Sequence, residues 1–217
     1  MKKRIAVMLL TGLLILSMAG GGCGKEGKTP EEMKELAQEY LNLNYNDTFT
    51  AKGYSPVSWA YPYASLRFAS QKYPDEVVEV RIYEEDGSVS LKDNYFRYAM
   101  KEDAEEAFGE IVAEYESDAV IKVSFVEQTL PDGLPPQADF KTYAAMGECR
   151  LDLYIITDAE LGEEIQQMIL KKVQEEKIQG NVRFLVVDDL QLFGESSISD
   201  IVNEQYDHVL SQKDYSI

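Results

Sequence analysis

Hydrophobic and polar positions follow two periods along this chain, and each change of period marks an element. Thr29 precedes Pro30, and Glu32 completes a capping box with Thr29, so a helix starts here. Met33, Leu36, Ala37, Tyr40 and Leu41 then recur at three- and four-residue spacing on one face, until Asn44, Asn46 and Asp47 end the run. Thr48 to Ser55 and Leu66 to Tyr73 read as strands. Val78, Val80 and Ile82 alternate with Glu79, Arg81 and Tyr83, and Asp86-Gly87 is a turn pair before Val89 and Leu91. The stretch 77–92 therefore predicts a half-buried hairpin.

The period returns to helical near Lys101, where Ala104, Ala107, Phe108, Ile111, Val112 and Tyr115 share a stripe. Val120 to Val126 predicts a strand. Pro131, Pro135 and Pro136 force a loop, and 130–136 is the candidate internal boundary. Phe140 to Met146 reads as a short helix and Cys149 to Ile156 as a strand. Thr157 and Glu160 have capping-box spacing before Leu161, Ile165, Met168, Ile169 and Val173, and Gly180 suits a helix end. Val182 to Val187 predicts a strand. Ser196 to Leu210 predicts a last helix with Ile198, Ile201, Val202, Val209 and Leu210. Early hairpins followed by alternating elements indicate an α+β fold. The expectation is a mixed or mainly antiparallel sheet with helices packed on it, in one compact domain or two subdomains.

The amino terminus has a different layout. Met1-Lys2-Lys3-Arg4 is followed by an apolar run from Ile5 to Ala19 and by Gly20-Gly21-Gly22 before Cys23. The run is short of the roughly 20 residues that span a membrane. A basic start, a short apolar core and small residues make a secretory leader. This segment resembles the signal peptides of bacterial lipoproteins, with Gly21-Gly22-Cys23 as the lipobox. Gly20 stands where that family usually has leucine. The resemblance covers about the first 23 residues. It implies removal of residues 1–22, lipid on Cys23 (a diacylglycerol thioether and a palmitate-type acyl chain), and residence on the outer face of the cell membrane. Residues 23–29 are then the lipidated cysteine and a short polar tether, and 30–217 the α+β domain. Six extended residues reach about 20 Å at most, so the domain sits close to the bilayer. Beyond the leader, the chain resembles small uncharacterised lipoproteins of Gram-positive bacteria in general character, with no motif that carries the likeness.

Charge narrows the classes of partner. The chain has 21 basic and 39 acidic residues, and Lys2, Lys3 and Arg4 would leave with the leader. Such acidity opposes binding to nucleic acid, which relies on neutralising phosphates. It likewise opposes an electrostatic grip on anionic lipid.

Few residues offer chemistry. With Cys23 lipidated, only Cys149 remains, and its apolar setting reads as a buried small hydrophobe. His208 is the single histidine, expected on the solvated face of the last helix, so multi-histidine zinc sites are excluded by count. Glu84-Glu85-Asp86, with Asp93 downstream, offers oxygen ligands without the spacing of a calcium loop. Asp188-Asp189 at a strand end reads as a helix cap or polar loop. No glycine-rich phosphate loop follows the leader. No metal, cofactor or catalytic group is expected.

The segment Tyr54 to Tyr73 is the most suggestive. It carries Trp59, the one tryptophan, with Tyr61 and Tyr63, and Pro56 and Pro62 make 55–63 a loop. Rings on a loop offer contact area at low entropic cost. The competing reading folds them back over the core. The expectation is a non-enzymatic binding or accessory lipoprotein that meets a protein partner through Trp59, Tyr61 and Tyr63. A small-ligand or glycan receptor is the alternative, and a wall hydrolase the third.

Overall fold

The computed structural model describes residues 28–203 and 206–217. The leader, Cys23 and most of the tether lie outside that range, as does the Val202 side chain.

Helix α1 (Pro30–Asn44) opens with the expected capping box: the Thr29 hydroxyl accepts from the Glu32 amide, and the Glu32 carboxylate accepts from the Thr29 amide at 2.7 Å. Met33, Ala37 and Leu41 are its buried face. They pack on an antiparallel meander, β1 (Phe49–Ser55), β2 (Ala64–Ser70), β3 (Val77–Glu85) and β4 (Ser88–Asp93), ordered β1-β2-β3-β4. Leu66, Phe68, Val78, Val80 and Ile82 line the covered face. The β3–β4 turn places Asp86 (φ 49°) and Gly87 (φ 84°) in the left-handed region, as a tight hairpin requires.

The chain then crosses through α2 (Phe96–Ala99), absent from the sequence reading, and α3 (Lys101–Ala113) into a second sheet. Its strands are β5 (Val120–Phe125), β6 (Arg150–Thr157), β7 (Gln179–Val187) and β8 (Val209–Ser216), ordered β5-β6-β7-β8. Only β6 and β7 are parallel, joined through α5 (Glu163–Glu175). Helices α3, α4 (Phe140–Ala145) and α5 contribute to the core on one face. Short α6 (Leu190–Glu195) and α7 (Ile198–Asn203) cover Tyr154, Ile156, Leu185 and Val187 on the other. The fold is α+β in one compact domain, with two sheets where one was expected. The sheets change over between Asp93 and Val120. Leu130 and Leu134, both within the 130–136 proline loop, are buried in the second core.

Three local readings are corrected. Thr157 does not cap α5: it ends β6, and its buried hydroxyl donates to the Ala159 carbonyl at 2.8 Å, while Gly162 is the cap position. With the start displaced, the buried face of α5 becomes Gln166, Ile169, Leu170 and Val173, and Met168 is exposed. Gly180 does not end α5, because Lys177 (φ 60°) makes that left-handed step and Gly180 belongs to β7. The last helix stops at Asn203. Residues 209–216 gain more from backbone pairing with β7 along a whole strand than from continuing a weak apolar stripe. His208 therefore lies in a single 3-10 turn, Tyr206–His208, and not in a helix.

Candidate aromatic contact site

Trp59 is fully exposed, Tyr61 is 59 % exposed, and Val57 is exposed beside them. They occupy the β1–β2 connection. No residue from Gly53 to Leu66 bears a charge, in a chain where 28 % of residues do. The loop has defined local order. The Ser58 amide donates to the Tyr61 carbonyl at 3.0 Å, and the Tyr61 amide donates back to the Ser58 carbonyl at 3.3 Å. The Ser58 hydroxyl accepts from the same Tyr61 amide at 3.2 Å. This closed turn holds Trp59 and Ala60 at its tip.

Tyr63 anchors the turn to the sheet. Its ring lies 5.6 Å from that of Tyr61 and 5.2 Å from that of Tyr83, centroid to centroid. The Arg81 guanidinium sits 4.9 Å over it. Arg81 is itself held by Glu79 at 2.9 Å. Partial burial disfavours the Arg81 charge, but Glu79 outweighs this and raises its pKa above the ordinary arginine value. Tyr63 is pushed up by desolvation, with Arg81 opposing. The three aromatic residues thus divide: Tyr63 is a half-buried buttress, while Trp59 and Tyr61 project from it.

The other candidates resolve into structural parts. Asp93 is buried and is no partner to Glu84, Glu85 and Asp86, which are exposed at the hairpin tip. Its carboxylate accepts from the Tyr40 hydroxyl at 2.6 Å, the Tyr45 hydroxyl at 2.9 Å and the Tyr95 amide at 2.8 Å. Burial raises the pKa of Asp93 in spite of those donors. Asp47 holds the same region from outside, accepting from Ser70, from the Tyr95 hydroxyl at 3.1 Å and from the Lys72 amide at 3.1 Å. The sequence reading missed this carboxylate–tyrosine network, because Tyr40, Asp47, Asp93 and Tyr95 meet only when α1 packs on the meander.

Asp189 caps α6 through the Leu192 amide at 3.0 Å. Asp188 meets His208 Nδ1 at 2.9 Å, so the single histidine is exposed but has an acidic neighbour. Cys149 is buried, and burial pushes its thiol up to about 12. No group of three or more histidine, cysteine or acidic side chains fit to hold a metal occurs among the described residues. No described helix is long and apolar enough to cross a membrane.

A depression of about 410 Å³ is lined by Lys34, Glu35, Gln38, Glu39, Asn42 and Leu43, all from α1, so no opposing wall encloses it. Another, of about 230 Å³, lies between α5 and the end of β8. Neither adjoins the aromatic turn.

No family model and no curated protein sequence matches the chain. Among solved structures it is similar to a DUF5037 family protein from Ruminococcus gnavus ATCC 29149. The two share 12 % identity over 85 % of this chain and 90 % of that one, with a TM-score of 0.46.

Proposed function

We propose that this chain is an extracytoplasmic lipoprotein, anchored to the cell membrane through Cys23, that acts by binding and not by catalysis. Its contact surface is the β1–β2 turn. The observation that carries this reading is the complete exposure of Trp59 on a closed, buttressed turn without charge. An exposed tryptophan beside an exposed tyrosine forms an apolar patch of the kind that marks a contact site. Tyr63, Tyr83 and Arg81 pre-order it, which lowers the entropy lost on contact. The basic start, apolar run and Gly21-Gly22-Cys23 of the leader support the anchor, and the other cysteine, Cys149, is buried.

Two measurements test the reading. Mass spectrometry of the membrane-extracted protein is expected to find a diacylated amino-terminal cysteine at Cys23; an unmodified thiol there removes the anchor. A photo-cross-linking residue at position 59 in living cells is expected to yield defined adducts, and one at the exposed position 210 to yield few. Equal labelling from the two positions removes the turn as the contact surface.

A further inference from the structure

The start of α1 and the aromatic turn lie at the same end of the first sheet. Thr29, six residues after Cys23, caps helix α1, which runs along the meander to Asn44. Tyr45, just past its end, packs edge-on against Phe49 at the start of β1, with ring centroids 6.4 Å apart. Strand β1 then runs back, and near its end the Tyr54 hydroxyl reaches the Met33 sulfur in the first turn of α1 at 3.7 Å. The 56–63 loop leaves β1 after Ser55, one residue later. A chain of six residues spans about 20 Å at most. A lipid on Cys23 therefore keeps the start of α1 within about 20 Å of the bilayer surface, at the end of the sheet from which this loop leaves.

We infer that Trp59 and Tyr61 are seated in the interfacial layer of the bilayer itself, as a second, non-covalent membrane contact that fixes the orientation of the domain. This rests on the lipid-anchored reading above. Tryptophan and tyrosine favour this layer because each ring is apolar with a polar handle. The uncharged run from Gly53 to Leu66 removes the cost of bringing ions to lipid, and the first charges on either side, Lys52 and Arg67, are basic. The same end of the sheet also carries the exposed Glu84-Glu85-Asp86 tip, and Glu31 and Glu32 lie in the first turn of α1. Attraction to anionic lipid is therefore not the driving force. The contact is apolar, works on zwitterionic lipid, and is insensitive to salt there.

Trp59 is the one tryptophan of the chain, so its fluorescence reports on this loop alone. The lipidated protein is reconstituted into phosphatidylcholine vesicles, with and without brominated acyl chains. A parallel sample, with a free Cys23 thiol, is coupled to a maleimide lipid, so the loop is read whether or not the cell acylates Cys23. The expected result in both is a blue shift of Trp59 emission, quenching by the brominated lipid, and loss of most quenching by aqueous acrylamide. Partial replacement with phosphatidylglycerol is expected to reduce the shift. A Trp59→Phe, Asp75→Trp double variant carries its reporter in the β2–β3 turn, at the opposite end of the meander, and is expected to stay aqueous. The inference falls if anchored Trp59 keeps the emission and acrylamide access it has without vesicles. It falls equally if the shift appears only in vesicles that contain native membrane proteins, because a protein is then the occupant. Absence of lipid from Cys23 in cells would sink the anchor alone, since the maleimide sample still reads the loop.

Discussion

The Tyr54 hydroxyl and the Met33 sulfur lie 3.7 Å apart and join the end of β1 to the first turn of α1. The contact places the start of α1 beside the strand end from which the Trp59 loop departs. Both residues belong to the first core: Met33 is buried in it, and Tyr54 packs against it.

Trp59 contributes little to the stability of the fold, because its side chain touches solvent on all sides. Trp59→Ala is expected to leave the free energy of unfolding within about 0.5 kcal/mol of wild type. Tyr63→Ala removes ring contacts to Tyr61 and Tyr83 and the bed for Arg81, and is expected to cost about 1 kcal/mol. Urea unfolding of both variants checks the contrast. A large loss from Trp59→Ala would mean that the ring packs on the domain in solution.

Asp93 ties α1 to the meander. Asp93→Ala leaves the Tyr40 hydroxyl, the Tyr45 hydroxyl and the Tyr95 amide without their acceptor, at an expected cost of about 3 kcal/mol. A denaturation midpoint close to wild type would show that water satisfies the three donors.

The same residue makes stability depend on pH. Burial raises its pKa in the folded state above the ordinary value of 3.8, so over the interval between the two values the folded chain holds a proton that the unfolded chain has released. This contribution is complete below the unfolded value and is lost as pH rises through the folded one. Other groups, such as Asp47, have lowered values and oppose it, so the comparison is made against Asp93→Asn. The stability of wild type relative to that variant is expected to fall as pH rises from the acid range toward neutrality. A constant difference would place the folded value of Asp93 at its unfolded one.

Gly180 stands opposite Leu151 in the parallel pairing of β6 and β7. Its φ is 139°, and a Cβ added there would sit 1.9 Å from the Leu151 carbonyl oxygen. Gly180→Ala is expected to destabilise the second sheet by about 3 kcal/mol or more, or to block folding, because backbone on both sides must shift. Recovery of soluble variant with unchanged thermal unfolding would contradict this geometry.

Cys149 is expected to resist thiol reagents in the native state and to react fully once urea unfolds the chain. Its sulfur has no solvent access, and its thiolate is disfavoured by burial. Thiol titration of a Cys23→Ser chain isolates it. Rapid labelling without denaturant would mean that the second core opens locally.

Much of the local structure was legible in the chain because its causes are local. The Thr29–Glu32 box, the alternation from Val78 to Ile82 and the Asp86-Gly87 turn each involve residues within a few positions of one another. Two signals of the same kind misled. Thr157 has capping-box spacing to Glu160, yet pairing with β7 extends β6 through Thr157. Gly180 follows a helix as a cap would, yet its conformation answers to Leu151, far away in sequence.

What the sequence determined by itself was therefore the α+β character, most element positions and the identity of an aromatic loop. These follow from side-chain period, turn chemistry and composition. Only the tertiary structure decided that there are two sheets, that 209–216 is a strand, that Asp93 is a buried tie with Tyr40 and Tyr45, and that Trp59 projects while Tyr63 supports it. Each of these depends on which surfaces meet after long loops close. Whether a ring is covered or bare depends on its neighbours in space, which its neighbours in sequence do not specify.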